Sequence, residues 1–338
     1  MEYPSLDKPK AGAFRFNTDS SQLEIYDGNQ WTGILATSPN QQTGGARGVF
    51  FGRAEPTVTD RIDYVNISTT GDAQDFGDLS GTSYAYATSS SRIRGFCAGG
   101  INPHGDTIDF VSFSSKGDST DFGNLTQERY TIGGGCSDAT RSIYGGGQSN
   151  SSPHPLYDIL DYITSASGGD AVDFGNLSAA RTVMASASSQ TRGLWAGGTE
   201  PSAVNTIDYV TTATTGNATD FGDLSYTARE TAGCSNATRG LVAGGYSPNV
   251  NTIEYVTMST LGNSKDFGDM TMVRSHHSSC SSSTRGLFAS NLGNQASIDY
   301  VHIMTKGDAV DFGDLSTGGH NSGGTSNGHG GLKCQILE

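Results

Sequence analysis

Long apolar runs, helical periodicity and an excess of basic charge are all missing from this chain. No stretch is apolar for long enough to span a bilayer, and good helix formers are thin. Lys and Arg number 20 against 34 Asp and Glu, a net charge of −14. Clustered cations are what a nucleic-acid surface or an anionic membrane requires, so neither partner is expected. The opening Met1-Glu-Tyr-Pro-Ser-Leu-Asp has neither a basic nor an apolar segment of a signal peptide, so none is expected. The five cysteines fit no zinc-ribbon or redox spacing. Cys136, Cys234 and Cys280 each stand five residues before a repeated Arg, where other units have Ala187 and Ser89. A position shared by Cys, Ala and Ser asks for a small side chain in tight packing, so these thiols read as reduced and structural.

What is abundant is glycine, 47 of 338 residues, without the strict third-residue period of collagen. It punctuates short β runs, and the chain is all-β. Six units repeat at intervals of 45–52 residues, opened by Arg47, Arg94, Arg141, Arg192, Arg239 and Arg285. Each Arg begins an apolar run such as Arg192-Gly-Leu-Trp-Ala-Gly-Gly198. An Ile or Leu, an acid and an aromatic ring follow, as in Ile207-Asp208-Tyr209, and the unit ends on Asp-Phe-Gly at Asp75, Asp121, Asp173, Asp220, Asp266 and Asp311. A period of this length with several strands per unit is the signature of a β-propeller. From the Ile or Leu to the Asp the spacing is thirteen residues in every unit, and from that Asp to the next Arg it is nineteen, with a single twenty. Length varies only between the apolar run and the middle segment: twelve residues separate Gly147 from Leu160, and seven separate Gly245 from Ile253. The segments 54–61, 101–107, 148–159, 199–206, 246–252 and 292–297 are therefore expected on one face of a fixed scaffold.

The unit resembles the blade of kelch propellers. It has an Arg-led inner strand, a strand ending in Gly-Gly, a strand like Ile253-Glu254-Tyr255-Val256 and an aromatic closing strand. The resemblance covers residues 37–338, with Phe of Asp-Phe-Gly where kelch usually has Trp. The spacing puts Gly330 where a further Arg would stand, so the C-terminus is expected to supply two strands of a seventh blade. Residues 22–31 read as two strands across an Asp27-Gly28 turn and would complete it, removing two sheet edges. Seven blades closed by both termini are the expectation. The alternative is six blades with residues 1–36 as a separate β module. Residues 11–31 also resemble a short β segment of phage tail-fibre proteins. With the repeat wording and the Thr325-Ser-Asn-Gly-His-Gly-Gly-Leu ending, the whole chain resembles virion structural proteins of marine tailed bacteriophages, especially cyanophages.

Fourteen Asp lie in the pattern Asp/Asn-x-x-Asp-Phe-Gly-Asp/Asn, as in Asp72, Asp75 and Asp78. Such oxygens suit Ca²⁺, but strand alternation sends positions three apart to opposite faces, and Asp beside Gly caps turns. Turn chemistry is the reading, with no metal and no cofactor. The six repeated Arg could meet an anionic glycan or, as partners of the repeated Asp, tie strands together. Equal placement in every unit favours the structural role. Gly324-Thr-Ser326-Asn-Gly328 spells a nucleophile elbow without its strand-to-helix setting. His276 and His277 are adjacent, so in a strand they face opposite ways and share no metal.

The sequence thus points to a non-enzymatic virion component, made in the host cytoplasm and placed at the host-facing surface. Its variable loops would bind a cell-surface glycan or receptor, with His154, Tyr157, His104 and Tyr246 as candidate contacts. The runner-up is a capsid or tail decoration protein that binds only other virion proteins; a propeller enzyme is the least favoured. Other virion proteins, and copies of the chain itself, are the expected partners.

Overall fold

The computed structural model describes residues 9–17, 22–33, 46–54, 57–101, 105–130 and 134–332. The chain divides into two units, 1–41 and 42–338. The smaller unit holds a three-stranded antiparallel sheet of Phe14–Asn17, Gln22–Tyr26 and Trp31–Gly33. The Asp27-Gly28 turn forms as expected: the Asp27 carboxylate accepts the Asn29 and Gln30 amides at 2.7 and 2.8 Å. Arg15 lies 4.4 Å from the Trp31 ring centre and bonds Glu24 at 2.7 Å.

The larger unit is a β-propeller of six blades, not seven. The repeat is seen in blade 2, whose strands run Ala87–Ser90, Arg94–Ala98, Thr107–Ser112 and Thr120–Asn124 from the axis outward. The repeated Arg opens the second strand, the one that ends at Gly-Gly. The innermost strand is the preceding run of Ser, Ala, Gly and Cys, which sequence patterning hides because it has no apolar alternation. This shift of one strand accounts for the blade count. The C-terminus supplies a single inner strand, Gly323–Ser326, which pairs with Arg47–Arg53 of the first unit and completes that blade. Asn327 continues the disguise. In the other blades a side chain three residues before the Arg accepts the Arg amide, as Ser91 does for Arg94 and Asp138 for Arg141. Asn327 does so for Arg47 at 2.8 Å, across the break in the chain. The expected pairing of residues 22–35 with 318–336 is absent among the described residues: residues 22–33 pair within their own sheet.

Inner strands must approach closely around the axis, and this is where the small residues act. A Cβ on Gly233 would lie 2.5 Å from the Ser186 carbonyl oxygen, and one on Gly324 would lie 2.5 Å from that of Ser279. Cys97, Cys136, Cys234 and Cys280 are buried and unbridged, and burial pushes the Cys136 thiol up to about 12. They pack as small apolar groups and are not nucleophiles.

Three sets of contacts pass from blade to blade and use most of the repeated chemistry. Asp-Phe-Gly forms a β-bulge in each outer strand, which turns Phe into the core and leaves Asp exposed. Beside that bulge the next blade lays its own backbone: Gly117 and Ser119 donate to the carbonyls of Phe76 and Asp78 at 2.9 and 2.8 Å. Asp118 Oδ1 accepts the Asp78 amide at 3.0 Å, and the series closes where Asp72 accepts from Asp314 at 3.0 Å. The repeated acids are turn and edge caps in this arrangement. A Cβ on Gly77 would meet the Gly117 carbonyl at 2.4 Å, so the bulge Gly, at φ 153°, is required by the neighbouring blade.

The second set is the repeated Arg. Each guanidinium lies over the aromatic ring of its own blade, as Arg141 does over Tyr162 at 4.9 Å. Each also donates to a carbonyl just past the third strand of the next blade, as Arg141 does to Thr212 at 3.0 Å and Arg285 to Ile67 at 3.1 Å. The Arg are structural, but their partners are carbonyls and rings, not the repeated Asp.

In the third set, a buried acid of the middle strand accepts from a Ser or Thr of the preceding blade, as Asp161 does from Thr126 at 2.7 Å. Four of these acids meet a buried Arg outside the six-fold repeat: Arg53–Asp63, Arg129–Asp161, Arg181–Asp208 and Arg274–Asp299, at 2.5–3.0 Å. Removing one partner of such a buried pair typically costs about 3–5 kcal/mol.

A single four-residue strand, Gly323–Ser326, closes the ring. Truncation after Asn321 should expose the Arg47–Arg53 edge, lower the melting temperature sharply and cause aggregation. A truncated protein that stays monomeric with an unchanged melting temperature would contradict this closure.

Candidate functional site

Antiparallel blades send their connections alternately to the two ends of the ring. The turns from inner to second strand and from third to fourth lie at one end. The second-to-third and fourth-to-inner connections lie at the other. By this connectivity the length-variable segments share an end with the fourth-to-inner connections, which have constant length but for one extra residue between Asp121 and Arg141. At that end the channel between the inner strands is ringed by Ala85, Val183, Glu230, His276 and Asn321, each two residues before an inner strand. All five have a left-handed backbone, φ 55–64°. Their amides form a chain around the axis: Ala85 donates to Asn321, Asn321 to His276, His276 to Glu230, and Glu230 to Val183. A non-glycine residue in this region is strained, and a β-branched one such as Val183 more so.

The side chains on this rim divide by chemistry. Ala85 and Val183 pack with Tyr84, Ile101 and Tyr130. Glu230, His276 and Asn321 make the polar half. His276 Nε2 lies 3.4 Å from Glu230 Oε1, and its ring stands edge to face with Tyr246 at 5.7 Å and with His320 at 5.9 Å. Arg229 lies 5.1 Å from the Tyr246 ring centre. Burial pushes the Glu230 carboxyl up to about 7, against the pull of Arg229. Burial, then His320 and Arg229, push the His276 imidazole down to about 4. At neutral pH His276 is therefore uncharged, and its contact with Glu230 is not an ion pair.

The arrangement superficially suggests a catalytic triad, since Ser275 Oγ lies 3.3 Å from His276 Nδ1. Ser275 is buried, and an imidazole pushed down to about 4 is a poor general base at neutral pH. What the rim offers is a surface of rings, donors and acceptors. Below it the channel between the inner strands is lined mainly by Ser, Gly, Ala and Cys, with His277 and His329, and holds about 60 Å³, room for a few waters. Residues 329–331 plug its far end, packed against Ser137, Ser188 and Asn236. His329 Nδ1 accepts the Gly331 amide at 3.1 Å, so Nε2 carries the proton towards Ser137 Oγ, also 3.1 Å away. Among the described residues, no three His, Cys, Asp or Glu side chains converge as metal ligands.

Of the residues singled out from sequence, Tyr246 joins the rim cluster. His154 and Tyr157 lie on the longest loop, apart from Tyr246. The exposed His154 ring lies 3.0 Å from the Ser149 carbonyl through Nδ1, and the Tyr157 amide and carbonyl strap the loop to Gly147 and Arg181. His104 lies outside the described residues. Gln148 ties this loop to the rim by bonding the Tyr130 hydroxyl and the His154 carbonyl. Sequence reasoning missed Glu230, His276, His320 and Tyr130 because it searched where length varies. The usable signal was wording at constant spacing: the positions nine residues before each repeated Arg, or before Gly330, read Ala85, Ile132, Val183, Glu230, His276 and Asn321. His276 and His277 do face different surroundings. His277 is buried beside Phe288 with neither ring nitrogen bonded, and burial pushes it down to about 3.

No family model matches the chain, and no curated protein does.

His276, His277 and His329 are all pushed below the usual 6.5, so their stabilising contribution is present above pH 6.5 and is lost as the pH falls towards 4. Glu230 acts oppositely, its contribution fading as the pH rises from 4.5 to about 7. With three groups against one, unfolding free energy should fall between pH 6.5 and 4.5, and His277→Gln should remove roughly 2 kcal/mol of that dependence. Chemical denaturation across this range checks it; a flat profile would contradict the neutral burial of these rings.

Proposed function

We propose that this propeller is a non-enzymatic binding protein of a bacteriophage virion, and that its loop-bearing end recognises a host-surface carbohydrate. The observation that carries the reading is the division of labour among residues. The six repeated Arg, the repeated Asp and the buried acids serve contacts between blades. The unrepeated Tyr84, Tyr130, Tyr246, Glu230, His276 and His320 gather at one end of the ring. Tyrosine rings stack on the apolar face of a sugar, while carboxyl and imidazole groups bond its hydroxyls. The virion assignment rests on the resemblance of the leader and the repeat wording to phage structural proteins.

The second reading, a decoration or adaptor protein, is favoured by the leader sheet, whose Phe14 is 63% exposed and suits contact with another protein. Screening the protein against host-surface polysaccharides and purified virion proteins separates the two. Carbohydrate binding should be weakened about threefold to tenfold by Tyr246→Ala, with the melting temperature nearly unchanged. Binding to virion proteins alone, or saccharide binding indifferent to Tyr246, would overturn the carbohydrate reading of this face.

A further inference from the structure

The rim breaks the symmetry that the repeated Arg and Asp-Phe-Gly keep. Positions equivalent by strand register and by hydrogen bonding hold Ala85 and Val183 on one side and Glu230, His276 and Asn321 on the other. Packing alone gives no reason for a carboxylate here. Glu230 takes a left-handed backbone at φ 57°, and its side chain is only 12% exposed. Its Oε2 is buried and has no hydrogen-bond partner, and the same holds for Asn321 Oδ1, which follows beyond His276 around the rim. Two unfilled acceptors thus sit on the polar half of the rim, and an unmet buried acceptor is costly.

The groups that face Glu230 come from three connections. Arg229 is its chain neighbour, Tyr130 comes from the connection entering blade 3 and His276 from the one entering blade 6. His320 stands behind, against the His276 ring. Arg229, the nearest cation, is laid over the Tyr246 ring and not on the carboxylate. His276 presents Nε2 to Oε1, leaving Oε2 unmet. Tyr130 is close enough to feel the carboxylate electrostatically.

Resting on the carbohydrate reading above, we propose that the sugar unit seated on this rim carries a protonated amine, received by the Glu230 carboxylate with Tyr130 and Tyr246 alongside. The site is then selective for amino sugars over neutral or anionic ones. An ammonium group supplies the donor that Oε2 lacks, and aromatic rings beside a carboxylate favour a cation. Global charge agrees: at −14 the protein attracts cations and repels anions, and its six repeated Arg are held in contacts between blades. Burial leaves the empty carboxyl mostly protonated just below neutral pH. On binding, the Glu230 carboxyl loses its proton to the buffer, and the ammonium keeps all of its own.

The probes are a β-1,4-linked glucosamine hexamer and its N-acetylated counterpart, titrated calorimetrically at about pH 6 in two buffers of different ionisation enthalpy. The amine form should bind at least about tenfold more tightly and release close to one proton. Glu230→Gln should abolish the preference and the proton release, while binding to the acetylated form persists. The proton count is read on the unaltered protein, so the test survives a poorly folding variant. Equal affinity for the two hexamers, or a preference without proton release, overturns the amine assignment and leaves the carbohydrate reading standing. Binding of neither hexamer, nor of any host polysaccharide, overturns both.

Discussion

A blade of four strands ends in an open edge, and the structure depends on how that edge is closed. Outer strands present unpaired amides and carbonyls, which invite aggregation. Here each is covered by backbone from the next blade, with Gly117 and Ser119 on Phe76 and Asp78 and the same pairs around the ring. Backbone can lie against backbone only where no Cβ intervenes. Gly77 and Gly117 therefore answer each other across the boundary, and so do Gly313 and Gly71 at the closing one. Once the edges are joined, the other contacts follow. The bulge turns Phe inward, the repeated Arg lies over the ring beside it, and the acid at the strand centre is left to bond across the boundary.

The inner strands obey a related limit. Six of them converge on a channel too narrow for large side chains, so Ser, Gly, Ala and Cys fill it. Hydroxyls bond neighbouring carbonyls, as Ser186 bonds Gly135 and Ser279 bonds Gly233. These bonds satisfy polar groups that burial would otherwise leave unmet. The same narrowness leaves room in the channel for a few waters.

Much of this was legible in the sequence, and the limits are physical. The period, the Asp-Phe-Gly bulge and the small-residue position of Cys136, Cys234 and Cys280 recur often enough to be read directly. The Asp27-Gly28 turn was legible because a two-strand hairpin is a local structure. Blade closure was misread because Gly323–Ser326 has neither apolar alternation nor an Arg, and because Asn327 substitutes for a cap that elsewhere precedes the Arg in sequence. Arg53, Arg129, Arg181 and Arg274 escaped notice because they serve only four boundaries, and Arg53 reaches its acid from a different strand. At the remaining two boundaries Ser83 and Ala228 stand in the fourth-to-inner position that Arg129, Arg181 and Arg274 fill. The rim escaped because it is formed by hydrogen bonds between connections far apart in sequence.

Hydrogen exchange followed amide by amide tests the central claim, a closed ring of six blades sealed edge to edge. Asp78, Asn124, Asp269 and Asp314 have exposed side chains, yet their amides bond a carboxylate of the next blade. The account requires these amides to be protected as strongly as those within the blades, and Gly323–Ser326 to exchange in step with Ala87–Ser90. Rapid exchange at the outer amides, or early release of the C-terminal strand with the six blades otherwise protected, would contradict it.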